Sequence, residues 1–173
     1  MDETLWNDFI LTIHQVNVSN QVERLLHNPG GLLNIKRLGQ ISATKVLATD
    51  YLPWYYHDIF GICSWHHPGA DAITVGEWVT HYQAGDGGPG SEIVKVFPKL
   101  DEEDFHDLGS ILVIHDTLLD VRVIVEGSKR ACYNHLLGEE RSSAICYSSR
   151  WGHSLFSSDF FVHLPELEGV AHA

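Results

Sequence analysis

Residues with chemistry to offer crowd into one part of this 173-residue chain. Between positions 51 and 81 lie Trp54, Tyr55, Tyr56, His57, Asp58, Trp65, His66, His67, Asp71, Glu77, Trp78 and His81. In their midst is CSWHHPGAD, running from Cys63 to Asp71, where two adjacent histidines follow a tryptophan. Imidazole beside carboxylate is what a general acid/base pair needs, and also what a divalent metal needs. The spacings match no metal motif: the region has no HExxH, no HxH and no CxxC pair. His66 and His67 point apart in an extended chain, so at most one reaches a shared site. A divalent metal is therefore a weaker expectation than none, and the cofactor is left unspecified. The candidates for acid/base work are His81, Glu77, His67 and Asp71. The plain alternative is a set of rim histidines around aromatic packing.

Binding groups can be named on the same grounds. Aromatic walls with a few convergent polar groups suit a small organic ligand. Trp54, Tyr56, Trp65 and Trp78 are the candidate walls. Arginine is scarce, which draws attention to Arg122 and Arg150 as contacts for an acidic ligand. Arg122 alternates with Val121, Val123 and Val125, so it projects from the opposite face. If that face is internal, Arg122 needs a carboxylate or an anionic ligand. In ITVGEWVTHY, read as a strand over 73–82, Val75, Glu77, Val79 and His81 share one face. Cys132 and His135 sit three apart on an expected helix and share a face. A Cys/His nucleophile also needs an oriented base and an oxyanion site, which nothing nearby supplies. The loop GDGGPG lacks the lysine and Ser/Thr of a phosphate loop and reads as a mobile tip.

Charge limits the partners. Lys and Arg number 11 and Asp and Glu 23, giving a net charge of −12 with histidine neutral. Such a chain is soluble and is repelled by nucleic acid and by anionic membranes. A small organic ligand is the first expectation, with a homodimer or a basic protein partner behind it. Three cysteines without a pairing pattern read as reduced thiols. The opening MDETLWNDFI lacks the basic start of a secretory signal, and no apolar run approaches a membrane span. These features together point to a cytoplasmic chain.

The elements that must position these groups follow from periodicity and breakers. Leu5, Phe9, Ile10 and Ile13 recur at helical spacing, and a second short helix fits 19–27 before Asn28-Pro29-Gly30-Gly31. Residues 32–49 read as one or two strands with Gly39 as a bend or bulge. Pro53 argues against a central strand over 50–60, leaving a short helix or loop there. Further strands are expected over 73–82, 91–97, 108–115, 119–126, 142–148 and 160–164. A helix capped by Ser128 and closed by Gly138 covers 129–137. The whole reads as one α+β domain over 1–173. Its 1–30 segment is helical and packs on the sheet; 31–173 is mainly β with one helix near 128–138. Hairpin-like spacing favours a mostly antiparallel, strongly curved sheet or barrel-like cone enclosing a pocket.

Two functions fit this pattern. One is a small-molecule-binding protein or small enzyme using His/carboxylate chemistry of the isomerase, cyclase or lyase type in an aromatic-lined pocket. The other is an acidic interaction module, such as an inhibitor or immunity-type partner of a basic protein, with exposed aromatics as hot spots.

Overall fold

The computed structural model describes Thr4 and residues 39–57, 61–63, 69, 71–84, 111–138, 143–150 and 152. In chain order the elements are β1 (Gly39–Lys45), β2 (Tyr51–His57), β3 (Gly61–Cys63), β4 (Asp71–Thr74), α1 (Val75–Ala84), β5 (Ile111–Asp116), β6 (Val121–Glu126), α2 (Ser128–Leu136) and β7 (Ser143–Ser149). The strands form one sheet in the order β1-β7-β5-β6-β2-β3, with β4 also paired to β2. The sheet is mixed: β5/β7 and β2/β6 are parallel, and the other pairs are antiparallel.

This arrangement overturns the barrel-like cone and the mostly antiparallel, strongly curved sheet. The sheet is open, because β1 and β3 at the two ends of the order do not pair with each other. Spacing misleads here because only some sequence neighbours are sheet neighbours. From β5 to β7 the chain passes through β6 and α2, and that detour is long enough to return it parallel. The helices expected over 1–30, and the strands over 91–97 and 160–164, lie outside the described residues.

Two local expectations are also corrected. Residues 73–82 are not a strand: β4 ends at Thr74 and α1 begins at Val75. Thr74 and Glu77 form a capping box. The Thr74 N–H and hydroxyl donate to Glu77 Oε2, each at 2.8 Å, and the Glu77 N–H donates back to Thr74 Oγ1 at 3.3 Å. Such reciprocal bonds satisfy helix-start donors that otherwise lack partners. Val75, Trp78, Val79 and Tyr82 then make an apolar stripe at helical spacing. The second correction is β2, which runs through Pro53. Its pairing with β4 shifts register between Tyr51 and Tyr55, so the proline sits at an irregularity where its missing N–H breaks no regular rung.

Both helices cover one face of the sheet. Trp78, Val75 and Val79 of α1 and Ala131 and Cys132 of α2 pack with Leu52, Ile73, Ile111, Val113, Ile124, Ala144 and Cys146. The opposite side of the central strands is buried too, through Leu112, Ile114, Val123, Ile145 and Tyr147. A strand buried on both sides reads as a continuous apolar run, which is how ILVIHD reads. Tyr147 lies over Gly39, where a Cβ would overlap the tyrosine ring. Close approach, and not a bend, explains that glycine. At the start of α2, Gly127 takes a left-handed φ of 77° and is the N-cap, with Ser128 the first helical residue. At its other end the Gly138 N–H donates to the His135 carbonyl at 3.1 Å with φ 69°, so this glycine closes the helix as its type suggests.

Asp50 joins these parts. Its side chain is fully buried and grips Arg122 of β6 with two bonds, Nε to Oδ1 at 2.6 Å and Nη2 to Oδ2 at 3.1 Å. Oδ2 also accepts the Leu47 N–H at 2.9 Å. The Asp50 carbonyl accepts the Val75 N–H at 3.0 Å, and the Ala48 carbonyl accepts the Gly76 N–H at 2.8 Å. The β1–β2 connection is thereby tied to β6 and to the first turn of α1. Arg122 is partly buried, and its partner is a carboxylate.

Burial pushes the Asp50 carboxyl above the ordinary carboxylate range, while the Leu47 N–H and Arg122 pull it back. Removing the arginine leaves the burial cost uncompensated. Arg122→Met should lose about 3–5 kcal/mol of stability at neutral pH, and Asp50→Asn/Arg122→Met should recover part of it. A carboxyl with a raised folded-state pKa favours folding most below its unfolded value of 3.8 and loses that contribution as pH rises. The Arg122→Met deficit should therefore shrink as pH falls from about 7 to 4 in urea titrations. A deficit that grows on acidification would contradict this account.

Candidate functional site

Helix formation over 75–84 changes the geometry of the predicted site without dispersing it. Glu77 and His81 are four apart, so they share a face of a helix as they would share a face of a strand. With Gly76, Val79, Thr80 and Gln83 of α1 and His135 of α2, they line an open groove of about 600 Å³. The volume is within the usual range for small-molecule sites. Its polar groups come from two elements. Glu77 is exposed and holds the start of α1, as described. His81 is half-buried, one turn further along. His135 occupies the last turn of α2, three residues beyond the buried Cys132. Thr80 turns its hydroxyl back onto the Gly76 carbonyl at 2.9 Å.

Asp71 opens β4 and is exposed. Trp78 is 1% exposed, packs in the core and stacks on Tyr82 with centroids 5.4 Å apart, so it does not line the groove. Trp54 and Tyr56 lie on β2. His67 and Trp65 lie outside the described residues. Arg122 is held by Asp50 and by the Lys45 carbonyl at 2.9 Å. Arg150 is exposed in the turn after β7. No aromatic side chain is among the described residues lining the groove.

A second polar cluster emerges from register. Strand pairing sets His115 beside Arg122 on one side and Ser148 on the other, with Gln40 beyond Ser148. His115 Nε2 meets Asp120 Oδ1 at 3.2 Å, and its Nδ1 lies 3.5 Å from Ser148 Oγ, which in turn lies 3.5 Å from Cys146 Sγ. The order Ser–His–Asp invites comparison with a nucleophilic triad. The geometry argues against it: the serine contact is long, and the Asp120 side chain is 95% exposed. An aspartate in water orients its partner weakly. Asp116, next to His115, is buried and accepts the Leu118 and Leu119 N–H groups at 2.8 and 2.9 Å, which shapes the β5–β6 turn.

Cys132 and Cys146 are free thiols buried in the core, which does not suit a nucleophile. Burial pushes Cys132 well up, and it pushes Cys146 up against a smaller opposing pull from Ser148 and Arg122. Both stay as thiols at neutral pH. Among the described residues, no group of three or more His, Cys, Asp or Glu side chains is placed to hold a metal ion. No described helix is long and apolar enough to cross a membrane.

No protein-family model, no curated protein and no solved structure matches the chain. The class defined by the geometry is a two-helix layer on an open mixed sheet, with a histidine-bearing groove where the helices meet.

His135 joins the groove although the sequence pairs it only with Cys132; its helical position is legible, but not that it lines a groove with α1. Two outcomes follow. Thr74→Ala should cost about 1 kcal/mol through the lost cap, measured by urea unfolding. In a Cys63→Ser background, the native protein should resist an aromatic disulfide reagent at neutral pH, and rapid labelling of Cys132 or Cys146 without denaturant would refute their burial.

Proposed function

We propose that the protein binds a small organic ligand in the groove between α1 and α2. There His81 and His135 act as proton-exchanging groups in chemistry of the isomerase, cyclase or lyase type. The observation that supports this reading most is the convergence of two imidazoles, one from each helix, on a groove of about 600 Å³ beside the Glu77 carboxylate. Histidine is the side chain whose charge changes nearest neutral pH, and two of them flanking one ligand can supply an acid and a base. Glu77 serves both levels, holding the helix start and bringing a carboxylate to the groove rim.

The test is a ligand-observed NMR screen of small polar metabolites against the wild-type chain, repeated with His81→Ala and His135→Ala. Hits should weaken about tenfold or more in each variant, while thermal midpoints stay within a few degrees, because His81 is half-buried and His135 is exposed. Hits that bind both variants as tightly as the wild type would remove the groove from consideration.

A further inference from the structure

We infer that the ligand of this groove is a small anion, carrying a carboxylate or phosphate group, held at His81 and His135 with at least one of the two imidazoles protonated. The inference rests on the groove reading above and adds the charge of what it takes. Among the described lining residues, Glu77, His81 and His135 are the ionisable ones, and the remainder are Gly76, Val79, Thr80 and Gln83. The one carboxylate is already engaged: Glu77 Oε2 accepts both the N–H and the hydroxyl of Thr74. Among the described lining residues, two groups able to become cations thus stand beside one carboxylate, whose Oε2 is hydrogen-bonded to Thr74.

Position reinforces this. His81 is the basic residue of the last turn of α1, and His135 that of the last turn of α2. The last turn is where a helix dipole favours positive charge. The other charged groups on the packed elements stand elsewhere. Lys129 and Arg130 belong to the first turn of α2, and Arg130 lies by Gly127. Asp71 is exposed at the far end of β4 from α1. The imidazolium form is the one that attracts an anion, so the site should strengthen for anions on mild acidification. An anion beside an imidazolium makes a charge-assisted hydrogen bond to it.

The experiment titrates the full-length chain with sulfate, with acetate and with neutral acetamide at about pH 5.5, 6.5 and 7.5, following the imidazole ring protons of His81 and His135. Sulfate stands for a phosphate group at constant charge, and acetate for a carboxylate. The two signals are assigned with His81→Asn and His135→Asn. The expected result is that at least one anion shifts both signals and binds about tenfold or more tightly at the lowest pH than at the highest, while acetamide does not. The tighter anion identifies the preferred head group, and either asparagine variant loses the effect. Binding of equal strength at all three pH values, or of acetamide as tightly as acetate, overturns the anion inference and leaves the groove reading standing. If no anion moves either signal at any pH, the inference is also overturned, and the metabolite screen decides the groove reading separately.

Discussion

A buried carboxylate held by an arginine organises this fold. Asp50 has no exposed side-chain surface, and water cannot solvate it. It must therefore be satisfied from within, and the partners of its side chain and its backbone carbonyl come from different parts of the chain. Arg122 brings in β6, the Leu47 N–H shapes the β1–β2 connection, and the Asp50 carbonyl receives the first N–H of α1. Replacing such a pair by apolar groups need not destabilise a protein, so its value is better sought in specificity than in net energy. Here the pair fixes where β2 enters the sheet and where α1 starts. Since α1 carries Glu77 and His81, two of the three ionisable residues among the described ones lining the groove, the groove inherits its placement from Asp50.

The segment 71–84 shows how one sequence supports two periods. Val75, Glu77, Val79 and His81 alternate as a strand would, while Val75, Trp78, Val79 and Tyr82 recur as a helix would. Over so short a run periodicity does not decide. The decision comes from the Thr74-x-x-Glu77 box, a signal readable in the sequence, and from the core, which buries Trp78 and Val79 together. Glu77 and His81 remain on one side in either case, because four residues return to nearly the same face in both geometries. The pairing of these candidates was thus legible even though the element carrying them was misread.

The polar groups at the strand ends have a different logic from those in the groove. His115, Ser148 and Arg122 are aligned by strand register, and the Asp120 that meets His115 sits in water at a left-handed φ of 52°. Register brings polar side chains together as a by-product of pairing the apolar ones. The groove instead gathers side chains from two helices whose apolar faces are already engaged in the core, so its polar residues are those that packing left over.

By itself the sequence determined the acidic balance, the helix closed by Gly138, and the apolar strands that became β5 and β6; for Arg122 it left open whether the face was internal. What it determined is local or compositional, set by side-chain chemistry and by spacings within a few residues. Tertiary structure alone decided that β5 and β7 run parallel, that the sheet stays open, that Asp50 answers Arg122 across 72 positions, and that His135 lines the same groove as His81. Those outcomes depend on which distant segments bury one another. Burial is a non-directional, collective term that no window of the chain encodes alone.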